Sequence, residues 1–312
     1  MKRLVYISVM ILAVLYACER KELVEEEIYA TVTLTSEGAI ADDALLRAVV
    51  YDRTDGHKLG YSFTGPAGGE VQVGAGLRSV MVHTFGCETA IVEGEDGWET
   101  LCVTATRGDA MQQAAWTKAL TLHPVGADST SVAQRHSQWA KLFVSWEPDA
   151  MYLGVCDSLS IPRRALGEDY SLGIRLRPVR EKLDVYLTGI EGLEYVASAT
   201  MLLVGCSVGM DAATGAALSA PTVVTEALYR YGTGLRGQFM TFGDCPGAEA
   251  WLLVMVTDLA GTSFLYEYPL SSVSGMLETD TEIVIGKPEV KEGGGLQPTL
   301  EDWHEIEIPV IL

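Results

Sequence analysis

From residue 29 to residue 35, polar and apolar positions alternate: Tyr29, Thr31, Thr33 and Thr35 against Ala30, Val32 and Leu34. A period of two places one set on each face of a strand, so this segment is predicted to be a β-strand with one buried face. Residues 45–51 follow as the next strand candidate and run into Asp52-Arg53-Thr54-Asp55-Gly56, whose Asp-Gly pair suits the positive φ angles of a tight hairpin turn. Further strands are predicted at 71–73 and 79–85, then at 172–177, 183–188, 200–206, 251–257, 263–268, 282–285 and 304–311. Helical periodicity is scarce. Residues 109–119 are the best helical candidate, with a short turn expected near 192–199. The chain is therefore predicted to be all-β and built from β-sandwiches.

An internal echo suggests that one sandwich unit occurs twice. Gly74-Ala75-Gly76-Leu77-Arg78 leads across a short apolar stretch to Thr84-Phe85-Gly86, and Gly232-Thr233-Gly234-Leu235-Arg236 leads similarly to Thr241-Phe242-Gly243. The polar, Pro-containing stretch 157–169 interrupts the periodicity, which resumes at Tyr170. It is the expected linker between an N-terminal domain (29–156) and a C-terminal domain (170–312).

The N-terminus changes the picture. Lys2 and Arg3 precede an apolar or small-residue run from 4 to 17, which Leu15-Tyr16-Ala17-Cys18 closes. The run is shorter than the ~20 residues a membrane-spanning helix requires. It resembles a bacterial lipoprotein signal, with Tyr16 bulkier than the small residue usual there. The expectation is that residues 1–17 are removed and that Cys18 carries the lipid. Residues 18–28 then form an acidic tether (Glu19-Arg20-Lys21-Glu22-Leu23-Val24-Glu25-Glu26-Glu27) too charged to pack, and it resembles the tethers of lipoproteins displayed on the outer membrane of some Gram-negative groups. The partner expected at this end is outer-membrane lipid, reached through Cys18.

A formal charge of -20 over 312 residues repels phosphate backbones, which argues against nucleic acid as a partner. Cys87, Cys102, Cys156, Cys206 and Cys245 are odd in number and lack zinc spacing, so buried apolar thiols are expected. His57, His83, His123, His136 and His304 are scattered, and the glycine-rich 65–69 and 293–295 lack the lysine and helix start of a phosphate loop. No cofactor or metal is expected.

Gly205-Cys206-Ser207-Val208-Gly209 fits the G-x-S-x-G pattern of a nucleophile elbow, with Asp244 or Asp258 and His304 following in the order a hydrolase requires. No alternating strand-helix units surround it. A strand-to-turn role for Ser207 is the favoured reading, and a serine hydrolase the remote one. Of the tryptophans, Trp146 and Trp251 lie in apolar runs and are expected inside. Trp98 and Trp116 adjoin polar residues and are expected outside, where aromatic rings could stack on a sugar.

Cys18-Glu19-Arg20-Lys21, Pro148-Asp149-Ala150-Met151-Tyr152-Leu153-Gly154, Leu176-Arg177-Pro178-Val179, Gln238-Phe239-Met240-Thr241-Phe242-Gly243, and the late Gly293-Gly294-Gly295 with Trp303 together resemble the fimbrillin-type anchor lipoproteins. That resemblance implies two tandem transthyretin-like β-sandwich domains behind a lipoprotein signal. It also implies a non-enzymatic cell-surface protein that anchors a fimbria or displays an adhesive module, with fimbrial subunits as partners. A pilin-like arginine cleavage site is not evident, so a polymerising shaft subunit is not expected. β-strand addition is the expected mode of assembly, and the terminal strand 304–312 could complete its own sandwich or pair with a neighbour. The alternative is a surface glycan-binding lipoprotein for nutrient capture, which requires an exposed aromatic platform.

Overall fold

The computed structural model describes residues 29–37, 40–163, 169–270, 281–286, 289–291 and 295–297. Cys18, the signal segment, the tether, Trp303, His304 and the terminal strand 304–312 lie outside the described residues. The architecture is all-β, as expected.

The described residues open with β1 (Tyr29–Glu37), β2 (Leu46–Asp52), β3 (Lys58–Thr64), β4 (Gly68–Gly74) and β5 (Gly76–Thr84), then the short β6 (Ala90–Glu93) and β7 (Cys102–Ala105). Two helices follow, α1 (Ala110–Thr121) and α2 (Ser129–Trp139), then β8 (Val144–Ser145), β9 (Tyr152–Ile161), β10 (Asp169–Arg175) and β11 (Arg177–Pro178). The remainder is β12 (Glu181–Thr188), β13 (Val196–Ser207), β14 (Gly209–Asp211), β15 (Pro221–Tyr231), β16 (Gly234–Thr241), β17 (Trp251–Asp258), β18 (Ser263–Pro269) and β19 (Thr281–Gly286), with a small hairpin of β20 (Glu289–Lys291) and β21 (Gly295–Gln297).

The first sandwich packs a three-stranded sheet, β10-β1-β4, on a five-stranded one, β11-β9-β5-β2-β3. Ala30, Val32 and Leu34 of β1 meet Leu46, Ala48 and Val50 of β2 and Val80 and Val82 of β5 between the sheets, so the alternation read in β1 is the alternation of its buried face. The second sandwich has the sheet order β18-β17-β13-β15-β16-β12-β19. It closes because β15 is shared: its first part pairs with β13 and its end, Tyr229 to Tyr231, pairs with β16. Leu183, Val185, Met201, Leu203, Phe239, Leu252 and Val254 fill this core.

The two sets of strands repeat one topology. In each, the first strand (β1 or β12) pairs in parallel with the last (β10 or β19) and antiparallel with a fourth (β4 or β16). In each, the second strand (β2 or β13) lies between the third (β3 or β15) and the fifth (β5 or β17), and a sixth (β9 or β18) adds to the fifth. The sequence echo is not what carries this repeat. Gly74–Gly76 joins β4 to β5, whereas Gly232–Gly234 joins β15 to β16, the counterpart of the β3 to β4 turn. The echo compares two glycine corners at different places in the topology.

Strand pairing also moves the boundary expected at 157–169. β9 runs on to Ile161, and β10 returns to pair with β1 along Thr31 to Glu37. The polar stretch is the connection between two strands of the first sandwich. The change to the second set of strands falls between Pro178 and Glu181.

The sets are tied together by exchanged elements. β14 pairs antiparallel with β7, and Val179, Ala212 and Phe242 join Val49, Met81, Trp98 and Val103 in one apolar cluster. In return, α1 and α2 cross to the outer face of the second sandwich, where Trp116, Ala119 and Trp139 pack on Leu202, Val223, Leu253 and Leu265. Helix α1 is the predicted one. Its N-cap Asp109 accepts from Met111 and Gln112 amides while the Gln112 side chain returns to the Asp109 amide, a reciprocal capping box. Among the described residues no helix is long and apolar enough to cross a membrane.

Glu147 sits at this junction, its Oε1 accepting from the Met240 amide of β16 at 2.9 Å. Burial, reinforced by Glu226, pushes its carboxyl up to about 7. A carboxyl with a raised folded pKa contributes its full stability below the unfolded value near 4.5 and loses it as pH climbs through about 7. At about 1.4 kcal/mol per unit, reduced for partial exposure, roughly 2–3 kcal/mol is at stake. Glu147→Gln keeps an acceptor for the Met240 amide, so it is expected to raise the urea midpoint at pH 8 and change it little at pH 5. Equal gains at both pH values would count against this account.

Candidate functional site

Strand β3 is the edge of the five-stranded sheet, and its pattern is inverted. The large residues Leu59, Tyr61 and Phe63 are exposed, while the small Gly60 and Ser62 face the sandwich. Tyr61 stands opposite Val49 and Phe63 opposite Arg47 on β2, so the exposed side chains continue the outer face of the sheet. Tyr61 and Phe63 meet edge-on at 5.7 Å between centroids, and Phe63 meets Phe85, just past β5, at 4.9 Å. The Arg47 guanidinium lies 4.5 Å from the Tyr61 ring centroid and 6.0 Å from that of Phe85. Three exposed aromatic rings thus form one contiguous stripe, each turned edge-on to the next, with the Arg47 cation against Tyr61 and Phe85.

Beside the stripe is a pocket of about 300 Å³, lined by Arg47, His83, Phe85, Cys87, Glu95 and Met151 among others. Arg47 and His83 are cross-strand neighbours on β2 and β5, and Glu95 comes from the loop after β6. Glu95 receives both Arg47 terminal nitrogens and Lys58 Nζ, each at 2.8 Å. This two-pronged pairing fixes the carboxylate at the pocket wall.

His83 is 4% exposed. Its Nδ1 is 2.9 Å from the Thr84 carbonyl, which can only accept. Burial holds the imidazole pKa below its ordinary value, so the ring is neutral with its hydrogen on Nδ1 and a bare acceptor at Nε2. That Nε2 has no hydrogen-bond partner, lying 3.9 Å from Glu95 Oε1. Arg47 Nε and Tyr51 Oη, on the same sheet face, are also buried without partners.

The other sequence-derived candidates fall elsewhere. Ser207 is 2% exposed, and its hydroxyl lies 2.6 Å from the Gly209 carbonyl and 2.8 Å from that of Leu218. The glycines of the motif have structural causes. Gly205, at φ 87°, is a bulge where β13 slips against β15, and a Cβ on Gly209 would lie 2.2 Å from the Val103 carbonyl oxygen of β7. Asp258 Oδ1 caps its own turn, accepting from Ala260 and Thr262 amides at 2.9 Å. The segment is a strand end and a turn, the reading favoured from sequence.

The five described cysteines are free; Cys206 and Cys245 are buried and the other three half-buried. Burial pushes the Cys206 thiol up to about 12 and raises those of Cys87, Cys102 and Cys245 as well, which keeps them protonated.

The tryptophan expectation fails for Trp98 and Trp116, while Trp251 does pack against a core cluster. Trp98 and Trp116 are buried, and Trp146 and Trp251 are half-buried. Trp98 packs edge-on against Tyr51 at 5.3 Å, and Trp116 sits under α1 beside Trp139. Their polar neighbours belong to turns and to the outer side of a helix. The exposed aromatic platform consists instead of tyrosine and phenylalanine on β3, a strand missing from the sequence reading. Its signal was the alternation Leu59, Tyr61, Phe63 against Gly60, Ser62, Thr64.

Residues 17–225 match the family described as a domain of unknown function, DUF5119. The chain belongs to the DUF5119 family. No curated protein matches it. A candidate adhesin from Bacteroides ovatus shares the fold of this DUF5119 protein with a TM-score of 0.62 and 18% identity, over 90% of this chain and 96% of that one. The fimbrial anchor protein Mfa2 from Porphyromonas gingivalis is similar with a TM-score of 0.52 and 14% identity, over 83% of this chain and 90% of that one. A second candidate adhesin from Bacteroides ovatus gives 0.52 and 11%, over 86% and 90%. At these identities the likeness is one of fold.

Proposed function

We propose that this DUF5119 protein is a non-enzymatic, lipid-anchored protein of the cell surface, serving as an anchor or accessory subunit of a fimbria. In this reading Cys18 carries the lipid, residues 18–28 are the tether, and two transthyretin-like domains project from the outer membrane. The repeated sandwich topology supports it, being the fold that the chain has in common with a fimbrial anchor protein. Partners are held by β-strand addition. Edge strand β3 is paired to β2 on one side; on the other its Lys58 amide is bonded to the Asp96 carbonyl of a loop, and its far end turns into β4. An incoming strand satisfies the backbone groups of such an edge.

The test is recovery of the detergent-solubilised protein from outer membranes under mild conditions. Co-purification of fimbrial subunits is the expected result. Recovery with a nutrient transporter and no fimbrial subunit would overturn it.

A further inference from the structure

We propose that the aromatic stripe of β3 and the pocket beside it form a binding site for a neutral glycan. Tyr61, Phe63 and Phe85 supply the platform, and His83, Glu95 and Arg47 read the hydroxyls.

Each part answers a feature of a sugar. A pyranose has one face of C–H groups that packs on an aromatic ring, and the exposed rings here are contiguous and rigid, each spanning few rotatable bonds. Exposed large apolar residues gathered on one edge of an acidic protein mark an interaction surface rather than core. The rim of the ring carries hydroxyls, which both donate and accept. The pocket offers a bare imidazole acceptor at His83 Nε2 and a fixed carboxylate at Glu95 to take hydroxyl hydrogens. The Arg47 guanidinium gives one hydrogen from each terminal nitrogen to Glu95, and its remaining N–H hydrogens are there to donate to hydroxyl oxygens.

The unpartnered His83 Nε2 is the observation that points to a ligand. A buried polar atom without a partner destabilises the fold, and a hydroxyl placed in the pocket relieves that. Charge selects among sugars. Arg47 and Lys58 both pair with Glu95, so an anionic sugar meets no cation that lacks a carboxylate partner, and the -20 of the whole chain disfavours its approach. At about 300 Å³ the pocket is at the small end of ligand sites, which suits one sugar unit entering while its neighbours lie along the stripe.

The site does not depend on the assembly reading above, since a glycan could be bound whether or not fimbrial subunits are recovered. The probes are maltohexaose, cellohexaose, xylohexaose and mannohexaose, with a hexamer of galacturonic acid as the anionic comparison. Detergent-solubilised full-length protein is titrated with each and followed by calorimetry and saturation-transfer NMR. At least one neutral hexasaccharide is expected to bind, with the galacturonate hexamer at least tenfold weaker.

Phe63→Ala and Phe85→Ala, at exposed positions, are each expected to weaken that binding tenfold or more without changing the melting temperature. His83→Gln should weaken it comparably. Because His83 is buried, the two exposed variants decide the matter should it fail to fold. Binding of none of the neutral probes, binding untouched by Phe63→Ala and Phe85→Ala, or preference for the galacturonate hexamer would each overturn the proposal. So would a stripe found occupied by a fimbrial subunit that sugars cannot displace.

Discussion

Cys18→Ala is expected to transfer the protein almost entirely from the outer-membrane fraction to the soluble fraction while leaving its fold intact. Each methylene of an acyl chain buried in a bilayer contributes about 0.8 kcal/mol, and attachment becomes lasting once more than one chain is present. Against this, the described part of the chain has no helix able to cross a membrane, and its acidic surface is repelled by anionic headgroups. Removing the thiol that accepts the lipid therefore removes the only attachment in the proposed design. Two measurements check it: incorporation of a fatty-acid analogue, expected to disappear in the variant, and fractionation of the membranes. Undiminished labelling of Cys18→Ala would end the lipoprotein reading. Proteolysis of intact cells adds the orientation. An ectodomain displayed on the surface is shaved from the wild type, and full protection would place it in the periplasm.

How much of this was legible in the sequence depended on which way each face pointed. β1 could be read because its apolar positions all turn to one core, so the period of two is also the pattern of burial. β3 has the same period with the large residues turned outward, and a reading that equates apolar with buried passes over it, along with the stripe it carries. Helix α1 was legible as the run 109–119, and the Asp109 capping box gives it a defined start. Helix α2, Ser-Thr-Ser-Val-Ala-Gln-Arg-His-Ser-Gln-Trp, has an Asp128 cap but poor helix formers, and only Val132 and Trp139 are buried. Contacts distant in sequence hold it, and those are invisible to any local window. The same limit explains the tryptophans: Trp98 and Trp116 have polar neighbours along the chain and apolar neighbours across it. For the pocket, Arg47 is distant in sequence from both His83 and Glu95; the pairing of β2 with β5 brings it beside His83, and its ion pair with the loop after β6 brings in Glu95.

Those distant contacts lead to the largest expected loss of stability, Glu267→Ala. Glu267 on β18 is nearly buried, with 3% of its side chain exposed, and it receives the Arg135 guanidinium and, at 2.5 Å, His136 Nε2, both from α2. Arg135 is itself fixed between rings, 4.4 Å from the Trp251 centroid and 5.4 Å from that of Trp139. His136 Nδ1 meets the Leu120 carbonyl at the end of α1, so one carboxylate ties both helices to the outer face of the sheet. Truncating it leaves a guanidinium pressed against indole rings with its charge uncompensated. Removing one partner of a buried pair costs about 3–5 kcal/mol, more than the pair adds over an apolar replacement. Urea unfolding should show the unfolding free energy falling by that amount, through a lower midpoint with little change in slope. Glu267→Gln, which keeps the shape and one acceptor, should lose less. The loss should be local in origin: amides of α1 and α2 would lose protection from hydrogen exchange before those of β1 and β2 in the first sandwich. If Glu267→Ala unfolds within about 1 kcal/mol of the wild type, the carboxylate does not hold the helices and their apolar contacts with Leu202, Val223 and Leu253 suffice.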